Sequence, residues 1–205
     1  MDYFDVVDEL RLRIRPPPTE PGQPPKPTPN PGPEAQRTAW QTELRLRPVP
    51  NGAVAWVERL KPTFAARKVP PALAWLAEVE SSFDPAARSP AGAAGLFQLM
   101  PRTAQSMGLS LHPRDERLDP DKNAAAAAGY LRQLHGQFKD WRLALAAYNA
   151  GEGNLRMLMD RYKTRAYDQV ATRLPAETQM YVPKFEAVLQ KREGLKLNEL
   201  PAPAP

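Results

Sequence analysis

Apolar residues recur at three- and four-residue intervals through most of the chain beyond residue 50, with polar residues between them. That period belongs to helices packed through one face. Val54, Val57, Leu60 and Phe64 mark the first such face. Pro70 and Pro71 then punctuate the chain and open a second helix, because proline is tolerated in a first turn. This helix is predicted to reach Glu80 or just beyond. Phe83-Asp84-Pro85 ends it, since a residue before proline avoids the α region. Pro101 opens another helix to about Met107. Leu118-Asp119-Pro120 reads as an N-cap with proline at the first helical position. It leads a helix through Ala124–Ala128, Leu131, Leu134 and Phe138. Asp140 is the candidate cap of Trp141–Ala150, and Gly151 and Gly153 are its breakers. A last long helix is predicted over residues 176–191.

The first fifty residues follow another pattern. Val6, Leu10 and Ile14 lie four apart and predict a short amphipathic helix over residues 1–15. Ten of the eighteen residues from Pro16 to Pro33 are proline, which removes donors and favours an extended polyproline II spacer. A helix over 34–46 follows, stopped by Pro48 and Pro50. The pattern divides the chain into a helix (1–15), a proline-rich linker with its own helix (16–50), a main helical domain (51–192) and a tail (193–205). No internal repeat is present.

Composition agrees with an all-α fold. Ala, Leu, Arg, Glu, Lys and Gln are frequent, and β-branched residues are scarce. The 205 residues suffice for one domain with a core plus extra segments. The net charge of +5 suits an anionic partner such as nucleic acid, lipid headgroups or cell-wall polymer, or serves only surface solvation. The absence of cysteine excludes disulfides, thiol catalysis and a cysteine metal site. His112 and His135 lie far apart and make no metal motif. No apolar run approaches the roughly 18 residues of a membrane span. The N-terminus carries acids where a secretory signal has a basic start and an apolar stretch, so no export signal is visible in this chain.

Candidate chemistry centres on Glu80. Glu78 and Glu80 are two positions apart, about 200° around a helix, and cannot share a face. Leu73 and Leu76 precede Glu80 by seven and four, so Glu80 continues the apolar stripe. A carboxyl there loses water, its pKa rises, and it stays protonated and able to donate to a glycosidic oxygen. Helix geometry alone allows a second reading, a helix-terminal salt bridge. Gly92-Ala93-Ala94-Gly95 is a nearly bare turn that lets backbone approach a bulky polymer or simply bends tightly. Phe97 and Met100 suit a sugar face or the core, with the core expected for Met100. Tyr148-Asn149 offers a phenol and an amide, groups that suit an N-acetyl sugar or a core tyrosine beside a capping asparagine. Asp84 is the only nearby second carboxylate in sequence, and its place before Pro85 favours turn duty.

Three blocks, in order, carry a family resemblance: residues 80–104 beginning Glu80-Ser81-Ser82-Phe83-Asp84-Pro85, then Ala146-Ala147-Tyr148-Asn149-Ala150-Gly151, then Leu174-Pro175-Ala176-Glu177-Thr178-Gln179-Met180-Tyr181-Val182-Pro183-Lys184. Over about residues 51–192 the chain resembles the lytic transglycosylase (SLT) domain of the goose-lysozyme-like superfamily, closest to the membrane-bound lytic transglycosylase D-like group. The resemblance implies a lysozyme-like helical fold and peptidoglycan glycan strands as substrate. It implies 1,6-anhydromuramyl products made by one Glu, here Glu80. It implies substrate contacts from Ser89, Gly92, Gln98, Met100, Tyr148, Asn149 and Tyr181, with Glu177 structural. No cofactor, metal or nucleic acid is expected. It implies a periplasmic or cell-envelope location, which the missing signal reconciles with if a leader has been removed. A lysozyme-type hydrolase and a non-catalytic wall-binding scaffold are the rival readings. The N-terminal arm, which no family feature explains, is a candidate site for a protein partner.

Overall fold

The computed structural model describes residues 31–204. The helix expected at 1–15 and the proline-rich stretch up to residue 30 lie outside the described residues. The rest is helical: α1 (Pro33–Leu46), α2 (Ala53–Ala66), α3 (Leu76–Ser81), α4 (Pro101–Ser106), α5 (Pro120–Phe138), α6 (Trp141–Ala150), α7 (Glu152–Arg161), α8 (Tyr167–Val170) and α9 (Ala176–Glu193). Short 3₁₀ turns at Pro71–Trp75, Glu116–Leu118, Ala171–Arg173 and Leu197–Glu199 join them. Among the described residues there is no strand, only isolated bridges at Arg88–Ala94 and Ala94–Leu99.

Local chemistry accounts for the helix starts. The Asp119 carboxylate accepts from the amides of Asp121 and Lys122, and Pro120 follows at the first helical position. The Asp140 carboxylate accepts from Arg142 and Leu143 in the same way. Gly151 ends α6 as expected, but Gly153 breaks nothing: it lies inside α7, which the polar composition of 152–161 concealed. The helix expected from Pro71 to Glu80 is in two parts, a 3₁₀ turn and then α3. Leu73, Ala74, Leu76 and Ala77 are all fully buried, so this segment is surrounded by protein rather than laid on it. α9 packs against it from one side, and α2 packs against its 3₁₀ turn.

α1 is not part of a spacer. It lies along α9, with Trp40 only 2% exposed and Leu44 beside it in the same core as α3 and α6. Arg37 Nη1 also reaches Glu186 Oε2 on α9 at 3.1 Å. The packed unit therefore extends back to Pro33, ahead of the start expected at residue 51. Two buried apolar positions, Trp40 and Leu44, on a fourteen-residue polar helix were too few to reveal this from sequence. The tail from residue 193 is likewise tied down. Leu197 is buried, the Trp141 Nε1–H donates to the Pro201 carbonyl at 3.0 Å, and the Ala204 amide donates to Lys68 at 3.2 Å. No described helix is long and apolar enough to cross a membrane.

Candidate active site

α3 delivers Glu80 at its last turn and stops immediately after it. Ser82 and Phe83 both take positive φ, 52° and 65°, and the Phe83 amide returns to the Ala77 carbonyl at 3.2 Å. This is a helix termination made without glycine. Burial of Phe83, edge-on to Trp75 at 5.8 Å, offsets the conformational cost. The Ser81 hydroxyl donates to the Leu96 carbonyl at 2.8 Å, which fixes the end of α3 to the loop that follows.

The two glutamates of α3 have separate fates, as their angular offset requires. Glu78 forms a two-pronged ion pair with Arg192 of α9, at 3.0 Å to Nε and 2.8 Å to Nη2. Glu80 instead accepts a hydrogen bond from the Tyr181 hydroxyl of α9. Burial pushes the Glu80 carboxyl up to about 7. The Tyr181 bond and the charge of Lys184 pull it down, and the charge of Glu177 pushes it up. The desolvation expected from the apolar stripe is thus the largest cause.

The loop from Asp84 to Leu99 is fastened to the end of α3 through Ser81 and to α6 through Tyr148. Asp84 is spent on a turn, accepting from the Ala86 amide at 2.8 Å. Ser89 closes another: its hydroxyl oxygen accepts from Ala93 at 3.0 Å, and its carbonyl accepts from Gly92 at 2.9 Å. Gln98, at φ 45°, donates its amide to the carbonyls of Gly95 (2.8 Å) and Ala87 (3.2 Å). Gly95 is required on two counts. Its φ is 82°, and a Cβ there would lie 1.9 Å from the Arg117 carbonyl oxygen. Phe97 is fully buried against Phe64 at 5.4 Å and turns no face outward. Met100 reverses the expectation of a core position: it is 44% exposed, because Pro101 starts α4 at the surface directly after it.

α6 contributes Tyr148 and Asn149. The Tyr148 hydroxyl donates to the Phe97 carbonyl at 2.7 Å. Burial, then the charge of Glu80, holds this phenol well above its ordinary pKa, so Tyr148 stays neutral within electrostatic reach of the acid. Asn149 joins α6 to the first turn of α9. Its oxygen accepts from Thr178 at 2.7 Å, and its nitrogen donates to Glu177 at 3.4 Å. Glu80, Tyr148, Asn149 and Tyr181 are thus brought together by α3, α6 and α9. Ser89, Gly92 and Gln98 build the adjoining loop, and Met100 lies at its exposed end.

Three contributors gave little sign in the sequence. Arg117 is buried, and its Nη1 donates to the carbonyls of Gly92 (2.7 Å) and Leu99 (2.9 Å) while Asp115 holds the rest of the guanidinium. Asn123 is fully buried, accepting from Phe97 N at 2.8 Å and donating to Ala94 O at 3.2 Å. Lys184 is buried on α9. A polar side chain within an apolar stretch, as at Asn123 before the alanine run, was the available signal.

His135 lies in the core against Trp141 at 4.3 Å, and His112 is exposed. Among the described residues no three His, Asp or Glu side chains are grouped to hold a metal ion. A separate cavity of about 270 Å³ lies between His135, Trp141, Arg142 and the C-terminal residues. Neither Glu80 nor either neighbouring tyrosine lines it.

The family model described as the transglycosylase SLT domain matches residues 62–171. The membrane-bound lytic murein transglycosylase D of Escherichia coli K12 is 39% identical over 140 residues, covering 64% of this chain and 31% of that protein. The chain therefore spans under a third of that relative's length. Among solved structures, the 70 kDa soluble lytic transglycosylase of Escherichia coli matches with a TM-score of 0.59 at 29% identity, over 70% of this chain and 25% of that one. An inactive variant of the lytic transglycosylase Slt of Pseudomonas aeruginosa gives 0.61 at 29% identity, over 75% and 26%.

Proposed function

The chain belongs to the transglycosylase SLT domain family, and from that membership and the site geometry we propose that it is a peptidoglycan lytic transglycosylase using Glu80 as its single acid and base. The observation that carries this reading is the state of the carboxylates. Glu80 is raised to about 7, chiefly by burial, and accepts from Tyr181, which pulls the other way. Glu78 is locked to Arg192, and Asp84 is committed to the Ala86 amide. A hydrolase needs a second carboxylate as nucleophile or as base for water. A transglycosylase does not.

The reaction balances with one group. Protonated Glu80 gives its proton to the leaving oxygen of GlcNAc as the C1–O bond of MurNAc breaks. The Glu80 carboxylate then takes the proton of the muramyl C6 hydroxyl, and O6 bonds to C1. The product is a 1,6-anhydromuramyl end, Glu80 is protonated again, and no water is consumed. An attacking hydroxyl already within the sugar has a high effective concentration, so no activated water is required. Ser89, Gly92 and Gln98 would line the groove with loop backbone, Tyr148, Asn149 and Tyr181 would flank the cleaved bond, and exposed Met100 would meet a more distant sugar. A peptidoglycan substrate places the enzyme at the cell envelope.

Glu177 supports one competing reading, because its charge acts on Glu80 from the first turn of α9. In a lysozyme-type hydrolase it would be the second carboxylate. Mass spectrometry of fragments released from purified peptidoglycan separates the two. Anhydro ends, lighter than reducing ends by one water, are expected, and they should persist in Glu177→Gln. Reducing ends would overturn the transglycosylase reading.

A further inference from the structure

Lys184 follows Tyr181 by three residues on α9, so the two share a face of that helix. Tyr181 is the donor to Glu80. Lys184 is 9% exposed, and its ammonium lies 5.3 Å from the ring centroid of Trp40 on α1. Trp40 is itself sealed in the core. A buried lysine costs stability through desolvation, and a cation held over an aromatic face recovers part of it. The arrangement fixes a positive charge one helical turn from the phenol that grips the acid.

We propose that Lys184 is the positioning cation of this site, held by the Trp40 face of α1 so that its charge favours the Glu80 carboxylate formed as the proton leaves. The inference rests on the acid–base reading of Glu80. Lys184 touches no sugar, and its effect runs through Glu80.

The electrostatics agree. Lys184 is lowered to about 8, chiefly by burial and also by the charge of Arg47 beyond α1, while Glu80 and Glu78 of α3 raise it. In return, Lys184 pulls Glu80 down, against burial and Glu177. The other groups facing Glu80 are the Tyr181 hydroxyl of α9, which donates to it, and the Tyr148 phenol of α6, which burial holds well above its ordinary pKa. At pH 7 most Lys184 is charged, so its contribution is present where Glu80 titrates.

The test reads Glu80 directly. In protein labelled with ¹³C-glutamate, the Glu80 carboxyl is assigned by its loss in Glu80→Gln and titrated in wild type, Lys184→Met, Lys184→Gln and Lys184→Arg. Exposed Lys191→Met is the control. Either neutral variant should raise the Glu80 midpoint by about one pH unit, and arginine should largely restore it. On peptidoglycan, the high-pH limb of the rate should move up by the same amount, with kcat falling and KM unchanged. An unmoved midpoint in the folded neutral variants overturns the proposal, as does an equal shift in Lys191→Met. Because the titration needs no turnover, a wild type that releases no anhydro ends would refute the function reading and leave the Lys184 result to stand or fall separately.

Discussion

Glu78→Gln separates the two glutamates of α3 by stability rather than by rate. The Glu78–Arg192 pair is enclosed, with side chains 9% and 4% exposed, and both carboxylate oxygens are engaged. Removing one partner leaves a buried guanidinium facing an amide, and breaking such a pair costs about 3–5 kcal/mol. Gln keeps one acceptor, so the lower figure applies. For a chain of this size each kcal/mol moves the melting temperature by about 2–4 °C, which gives a fall of roughly 6–12 °C. Calorimetry measures that fall, and turnover per folded molecule well below the transition should stay within about twofold of wild type, since Glu78 does not face the acid. Arg192→Met should destabilise comparably, and the double variant should recover part of the loss by removing both charges. A Glu78→Gln protein with an unchanged melting temperature would refute the structural role. Lost turnover at unchanged stability would move Glu78 into the chemistry.

Glu80→Gln should lower turnover about 100- to 10,000-fold, measured as peptidoglycan release. It should also be stabilising at alkaline pH. Burial raises Glu80 from 4.5 to about 7, so between those values the folded state keeps a proton that the unfolded chain has lost, and stability from this group falls as pH rises. Melting curves should therefore place Glu80→Gln above wild type at pH 8 and level with it at pH 4. Deleting residues 1–46 should lower the melting temperature rather than leave it unchanged, because α1 is packed; Trp40→Ala alone should cost about 3–5 kcal/mol by chemical denaturation. Equal stability of the truncated chain would return α1 to the linker.

The helices with strong start signals were legible residue by residue. Asp119-Pro120 and Asp140 cap as their chemistry requires, and the single acid on an apolar stripe was recognisable from Leu73, Leu76 and Glu80. What was hidden depends on contacts distant in sequence. α1 reads as polar because its few buried positions, Gln36, Trp40 and Leu44, gain meaning only against α9. Met100 was expected in the core and is exposed, because the loop before α4 turns Phe97 inward instead. No local pattern marks Arg117 for burial, because its two carbonyl partners, Gly92 and Leu99, lie 25 and 18 residues away.

The opposing influences on Glu80 are the point at which fold and proposed chemistry meet. One residue must first be an acid and then a base, so both forms must be accessible near neutral pH. An exposed glutamate would already be ionised, and one left to burial alone would release its proton reluctantly. Burial and Glu177 favour the neutral form; Tyr181 and Lys184 favour the charged one. Tyr181, Lys184 and Glu177 all come from α9, which α1 backs and Arg192 ties to α3. A small displacement of α9 along its axis would therefore change the Tyr181 bond and the Lys184 charge together. The helix that sequence reading placed in the linker therefore packs against the same α9 that carries all three of these groups.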